Sequence, residues 1–294
     1  MSSGDRYSLE HAYRQGAVKL RNAGVPEAKL DAWYLLEYVT GMGRAAYYAD
    51  PEKMLTAEQS AEYDRCIETR CRRVPLQHIT GEQEFMGLSF LVNGDVLIPR
   101  QDTEILVETA LDILNRDEDI SGKSTEDIRL LDLCTGSGCI LLSVLHYAKC
   151  RAEGIGSDLS ARALAVAEQN AERLHIPAKF IETDLYENIS GRFLMIMSNP
   201  PYIKSSEIAG LQDEVKFHDP IEALDGREDG LYFYRKIIAE SPSYLENGGY
   251  LIFETGYDQA ADVTELMRLQ GFTGIHVKKD LAGLDRVVYG RYIR

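Results

Sequence analysis

The sequence predicts an α/β chain: a small helical region first, then a β-hairpin linker, then a mostly parallel sheet with an antiparallel C-terminal edge. Three observations carry this. From residue 128 onward, short apolar runs alternate with amphipathic helical stretches, as parallel strands joined by crossover helices require. One run, Phe193-Leu-Met-Ile-Met197, contains no polar residue, as expected of a strand buried on both faces. The last two apolar runs, 274–277 and 287–293, lie close enough in the chain to pair antiparallel.

Composition agrees with a folded, two-domain protein. The 294 residues carry a net charge of −15 and are 45% hydrophobic, which supplies a real core and excludes disordered and low-complexity classes. The acidity argues against a dedicated nucleic-acid grip, because phosphate binding needs a basic surface. Cysteines at 66, 71, 134, 139 and 150 form an odd set with no C-x-x-C pair, so reduced buried thiols are expected and no metal. The segment MSSGDRYSLEHAYRQ has no apolar leader core, and no run approaches the ~18 apolar residues of a bilayer span. A cytoplasmic monomer with no membrane partner and no direct nucleic-acid partner is expected.

Residues 1–74 read as a helical domain. The stretch 31–39 is rich in Ala, Trp, Leu and Tyr, with Gly41 and Gly43 as a C-terminal break. Thr56 followed by Gln59 has the spacing of a capping box. Arg70, Arg72 and Arg73 could form a basic patch, but cations at a helix C-terminus are favoured by the dipole, and that structural role is preferred. Residues 75–99 read as the hairpin linker: Pro75, alternating residues over 85–92, Asn93-Gly94 as the turn, and Val96-Leu97-Ile98 as the return. The third region, 100–294, opens with a helix over 102–115 and a polar exposed loop over 116–126. Its strands are Arg129–Leu133, 153–157, Lys179–Glu182, Phe193–Ser198 and 250–253. A helix after Ser160 places Leu164, Ala167, Ala171 and Leu174 on one stripe.

The first of these strands ends in Asp132-Leu133-Cys134-Thr135-Gly136-Ser137-Gly138 and runs into the helix Cys139–Tyr147. Glycines there let a ligand approach the backbone and the helix N-terminus. The dinucleotide pattern G-x-G-x-x-G fails, because its third glycine position holds Leu141. Asp158, ending the next strand, can accept hydrogen bonds from ribose hydroxyls, and Asp184 shares its rim near a base. The combination points to a nucleoside-like cofactor.

Ser198-Asn199-Pro200-Pro201-Tyr202 follows the apolar strand and is the sharpest signal in the chain. The prolines fix φ and remove two donors, and the residue before a proline is held extended. Asn199 through its side-chain oxygen and Pro200 through its carbonyl then become fixed acceptors beside the Tyr202 ring. Two acceptors suit a planar NH₂ group. Its nitrogen is a weak nucleophile, so the electrophile must be potent, as a sulfonium methyl is. A side-chain amide and the exocyclic amine of adenine both fit.

Together these motifs resemble the class I S-adenosylmethionine-dependent methyltransferases, and more closely the protein-(glutamine-N5) methyltransferases of peptide chain release factors, the HemK family. The resemblance extends over nearly the whole chain: Pro75-Leu-Gln-His-Ile-Thr-Gly81, Phe85 to Phe90, Val96 to Glu104, Asp219-Pro220 to Leu224, Gly230-Leu231, Tyr234-Arg235, Gly248-Gly249, Glu254-x-Gly256 and Arg286-Val287-Val288. It implies a Rossmann-like catalytic domain, S-adenosyl-L-methionine as cofactor with S-adenosyl-L-homocysteine as product, and a helical domain that helps hold the release factor. It implies that Cys134, Thr135, Gly136, Ser137 and Gly138 embrace the methionine part. Asp158 would hold the ribose, Asp184 and Leu185 would lie near the adenine, and Asn199 would also touch the cofactor. Asn199, Pro200, Pro201 and Tyr202 would bind the glutamine of a Gly-Gly-Gln loop, with Asn199, Pro200 and Tyr202 serving catalysis. Cys134 stands where the family usually has glycine, so its side chain must fit beside the ligand or point away. Gln101-Asp102 replaces Pro-Glu, and Asp219-Pro220 replaces Glu-Pro. The alternatives are an adenine-N6 nucleic-acid methyltransferase, disfavoured by the acidity and the lack of a recognition insert, and an inactive cofactor-binding protein.

Overall fold

The computed structural model describes residues 7–116 and 128–294; the polar segment 116–126 falls almost wholly outside them. One unit holds the chain up to Gly81 together with Gln212–His218, and a second holds Glu82–Leu211 and Asp219–Arg294.

The first unit is built from helices Leu9–Asn22, Ala28–Thr40, Arg44–Ala49, Ala57–Cys71 and Leu76–Thr80, with the short helix Asp213–His218. Their ends form where the chain supplies caps. Thr56 and Gln59 exchange the two bonds of a capping box, each at 3.1 Å. Gly41, at φ 67°, closes the second helix in the left-handed region. Leu9, Leu20, Trp33, Leu36, Tyr63 and Ile67 pack into one core. Gly16 faces the Tyr63 ring, where a Cβ would collide. The arginine cluster is structural. Arg70 is buried, donating to Asp31 Oδ2 at 2.7 Å, Glu214 Oε1 at 2.9 Å and the Val74 carbonyl at 3.2 Å. Arg73 grips both Glu214 oxygens at 2.7 and 2.6 Å. Burial raises the Glu214 pKa, but these arginine bonds outweigh it and hold the carboxyl down to about 2.

In the second unit, the hairpin is present but turns elsewhere than the sequence predicts. Strands β1 (Glu82–Phe85) and β2 (Leu88–Leu91) pair antiparallel across Met86-Gly87, whose φ values of 52° and 71° are those of a type I′ turn. Pro75 starts the helix Leu76–Thr80 and not a strand. Asn93-Gly94 does bend the chain, with Asn93 Oδ1 accepting from the Asp95 N–H at 2.9 Å, but no strand follows. Val92 and Val96 are spent on packing against Ala163 and Val166.

The main sheet contains β3 (Arg129–Leu133), β4 (Glu153–Asp158), β5 (Lys179–Glu182), β6 (Phe193–Ser198), β7 (Leu245–Glu254), β8 (Phe272–Lys279) and β9 (Asp285–Tyr292). Their order is β5-β4-β3-β6-β7-β9-β8. The first five are parallel, and β9 joins β7 and β8 antiparallel, as the sequence predicts. Every residue of β6 is buried. The chain moves outward from β3 through β4 to β5, then returns to the other side of β3 as β6. That reversal opens a crevice beyond the carboxyl ends of the strands. Register levels those ends: Leu133 pairs with Ser157 on one side and Ser198 on the other, and Ser198 with Phe253. Ser198 Oγ also donates to the Leu133 carbonyl at 2.8 Å. The residues that follow, Cys134, Asp158, Asn199 and Glu254, therefore share one edge of the sheet.

Asn170 ties the hairpin to that edge. Fully buried on the helix Ala161–Leu174, it accepts from the Leu91 N–H at 2.7 Å and donates to the carbonyls of Leu91 and Ser137 at 3.1 and 2.9 Å. Asn170→Ala strands these backbone groups, so it should lower unfolding stability by about 2–4 kcal/mol in urea titrations. Cys134 sits at φ 59°, which costs a non-glycine residue about 1–2 kcal/mol. Cys134→Gly relieves that strain but frees the unfolded chain, for a net gain of about 0.5–1 kcal/mol by the same titration.

Candidate active site

A cavity of about 340 Å³ occupies the crevice beyond the strand ends of the second unit. Of the residues singled out from sequence, it brings together Cys134, Thr135, Gly136 and Ser137 after β3, Asp158 at the end of β4, Asp184 and Leu185 after β5, and Asn199 and Pro201 after β6. Gly138, Pro200 and Tyr202 are not on its wall. Gly138 is the cap of the following helix at φ 79°, where a Cβ would press on Ala167 and Leu142 at 3.2 Å.

The loop after β3 is fixed from both sides. The Thr135 N–H donates to the Ser157 carbonyl at 2.9 Å, and the Gly138 N–H to the Thr135 carbonyl at 2.8 Å. Thr135 Oγ1 donates to Asp132 Oδ2 at 2.6 Å. Asp132 is wholly buried, and burial pushes its carboxyl up to about 7 against the opposing bonds from Thr135 and the Leu141 backbone. At Gly136, φ 54°, a Cβ would meet nothing within 4 Å, so the backbone here borders open space. Burial, with Asp158 and Asp132 nearby, raises the Cys134 thiol well above its usual range and keeps it protonated.

Asp158 binds the loop itself. Its Oδ2 accepts from the Gly136 N–H at 3.0 Å and its Oδ1 from the Ser160 N–H at 2.9 Å. Burial raises its pKa, and these backbone bonds oppose the rise. Two bonds leave a carboxylate with further acceptor capacity toward the cavity. Asp184 stands at the same rim with Lys236 Nζ 3.5 Å away. Leu185, buried at φ 52°, is a second left-handed residue on the wall.

Asn199 lines the cavity, and its Oδ1 is sealed from solvent with no hydrogen-bond partner among the described residues. A buried amide oxygen left so costs about 1–3 kcal/mol, and this one belongs to a residue of the cavity wall. Tyr202 turns away from the wall: its hydroxyl donates to Glu254 Oε1 at 3.3 Å. The sequence reading expects its ring beside the acceptors; in the structure the ring packs against the core residues of β6, β7 and their neighbours.

Several wall residues were not singled out from sequence. Arg100, Thr103, Glu222 and Phe233 line the cavity. Arg100 Nη2 bonds Asp219 Oδ2 at 2.7 Å, and burial pushes the Asp219 carboxyl up to about 6 against that arginine. Thr103 Oγ1 donates to the buried Glu254 Oε2 at 2.5 Å. The only signal for Arg100 and Thr103 was their place in the segment resembling the family's post-hairpin motif. Among the described residues no cluster of His, Cys, Asp and Glu could hold a metal ion, and no helix is long and apolar enough to cross a membrane.

Comparison with known proteins agrees with this geometry. Residues 11–81 match the family model described as the PrmC N-terminal domain, and residues 118–214 match the methyltransferase small domain. The chain is 40% identical over 290 residues to the release factor glutamine methyltransferase of Agrobacterium fabrum, covering 98% of this chain and 99% of that one. It is 39% identical to the Geobacter sulfurreducens protein of the same name, covering 92% of each. A methyltransferase structure from Pyrococcus furiosus, 14% identical, superposes with a TM-score of 0.51 over 71% of this chain and 91% of that one, and shares the fold. With near-complete coverage by such relatives, over a class I methyltransferase sheet and a helical N-terminal unit, the chain belongs to the release factor glutamine methyltransferase family.

Proposed function

We propose that this protein transfers a methyl group from S-adenosyl-L-methionine to the side-chain amide nitrogen of the glutamine in the Gly-Gly-Gln loop of peptide chain release factors. The observation that carries the proposal is the unpartnered, buried Asn199 Oδ1 beside the cavity, held by the Pro200-Pro201 segment. The relatives described above are named release factor glutamine methyltransferases, which supports the acceptor residue and its protein.

The residues present fit the cofactor. The cavity lies within the ~300–1,000 Å³ range of small-molecule sites. Asp158 offers carboxylate acceptors for ribose hydroxyls, Leu185 and Phe233 offer apolar wall for a base, and the open backbone at Gly136 accommodates the methionine part. When bound, S-adenosyl-L-methionine would supply a sulfonium methyl as the electrophile; as the N–C bond forms, the sulfur would keep the pair of the broken S–C bond and depart as the neutral thioether S-adenosyl-L-homocysteine. The chain supplies orientation. Asn199 Oδ1 accepts a hydrogen bond from one N–H of the glutamine NH₂, and the Pro200 carbonyl, between the wall residues Asn199 and Pro201 though not itself on the wall, accepts from the other, which points the nitrogen toward the methyl donor. Neither is a strong base, so the residues contribute by position and by preorganised dipoles, and the displaced proton passes to solvent after transfer. Tyr202 contributes by anchoring this segment to Glu254 and not by stacking on the glutamine.

Incubation with S-adenosyl-L-methionine and either a release factor or duplex DNA decides the substrate. One methyl on the Gly-Gly-Gln glutamine in mass spectra is the expected result; methylated adenine, or no acceptor at all, contradicts it. Asn199→Ala should lower kcat about 10²-fold or more with the fold intact by circular dichroism. Asp158→Ala should weaken S-adenosyl-L-homocysteine binding by about 1.5–3 kcal/mol in calorimetry, the scale of hydrogen bonds to a charged group.

A further inference from the structure

We propose that Glu254 and Gln259 are positioning residues for the methyl transfer, acting through Tyr202 to fix the Asn199-Pro200-Pro201 segment against the cavity; the proposal rests on Asn199 being the amide-binding residue.

The residue that ends the segment is gripped on every side. Gln259 is 5% exposed, and its side-chain amide is spent entirely on backbone. Nε2 donates to the Tyr202 carbonyl at 3.0 Å and the Gly230 carbonyl at 3.3 Å, while Oε1 accepts from the Gly256 N–H at 3.0 Å. Loop 226–230 lies backbone to backbone on Tyr202. A Cβ at Gly226 would stand 2.7 Å from the Tyr202 carbonyl carbon, and one at Gly230, φ 75°, would overlap the Tyr202 oxygen. The next residue is tied as well: the Ile203 N–H donates to the Leu224 carbonyl at 3.0 Å, and the Gly226 N–H to the Ile203 carbonyl at 2.8 Å. On the side-chain face, Glu254 is 2% exposed at the end of β7. Its Oε1 accepts from the Tyr202 hydroxyl at 3.3 Å and its Oε2 from Thr103, a wall residue of the cavity, at 2.5 Å.

Stability alone does not call for this arrangement. A buried carboxylate and a buried amide carry desolvation costs that an apolar filling would avoid. What they add is direction: bonds to one carbonyl and one hydroxyl set where Tyr202 can sit, and two prolines transmit that position rigidly to Asn199. A displacement of about 1 Å at a reacting group can cost about 10²-fold in rate.

Gln259→Leu tests this in the full-length enzyme. The expected result is a kcat about 10²-fold lower, with the S-adenosyl-L-homocysteine dissociation constant and the KM for the release factor each within about threefold, and faster deuterium uptake confined to residues 199–205. Unchanged kcat and uptake would overturn the proposal. So would uptake that rises across the whole second unit together with lost S-adenosyl-L-homocysteine binding, the signature of a merely structural residue. Tyr202→Phe, Glu254→Gln and their double variant test the same linkage by kcat if Gln259→Leu does not fold. The double variant should fall no further than the worse single one, and additive losses would overturn the linkage. Wild-type enzyme that leaves the release factor unmethylated would overturn the function alone, because the exchange readout needs no turnover and still decides the positioning.

Discussion

An amide oxygen taken from water needs a donor, and at Asn199 the surrounding chain buries the oxygen without supplying one from the described residues. The residue follows a strand buried along its whole length, so the backbone cannot shift toward solvent. Two prolines then deny it the local turns by which asparagine usually satisfies its own side chain. What remains is a buried acceptor that no donor among the described residues occupies. Under the proposed function, binding energy and orientation come from the same contact, so that a weakly nucleophilic nitrogen is brought into line without a strong base.

The rest of the second unit serves the alignment of strand ends. Register brings Leu133, Ser157, Ser198 and Phe253 level, and the Ser198 hydroxyl locks β6 to β3 at the point where the two functional loops depart. Asp158 has a double duty. Its carboxylate shapes the glycine loop through the Gly136 N–H, and the residue also lines the cavity. Cys134 and Leu185, both in the left-handed region on the wall, store backbone strain at the site, where such strain is commonly found.

How far this was readable from residues alone depended on the range of the forces involved. Strands β3, β5 and β6 and the helix Cys139–Tyr147 follow from local patterns and lie where the sequence predicts. The hairpin turn does not. Asn93-Gly94 is the stronger local turn signal, but Met86 is held at positive φ by distant partners: its N–H donates to Glu104 Oε1 at 2.7 Å, and its carbonyl accepts from Tyr147 Oη at 2.7 Å. Tyr202 depends on the same long-range forces. The motif gives its place in the chain, whereas Glu254 and Gln259, more than fifty residues away, decide where its ring and carbonyl go. Arg100 and Thr103 lie in the 96–104 segment that resembles the family, but nothing local marks their side chains as cavity wall. Cys134 departs from the glycine of the resembling family, and its positive φ is the physical reason glycine suits that position.

The most direct measurement is a crystal structure of the protein with S-adenosyl-L-homocysteine and a peptide containing Gly-Gly-Gln. The glutamine nitrogen should lie about 2.7–3.2 Å from both Asn199 Oδ1 and the Pro200 carbonyl oxygen. A glutamine amide held by other residues, with Asn199 Oδ1 still unpartnered, would contradict the proposed function of this residue.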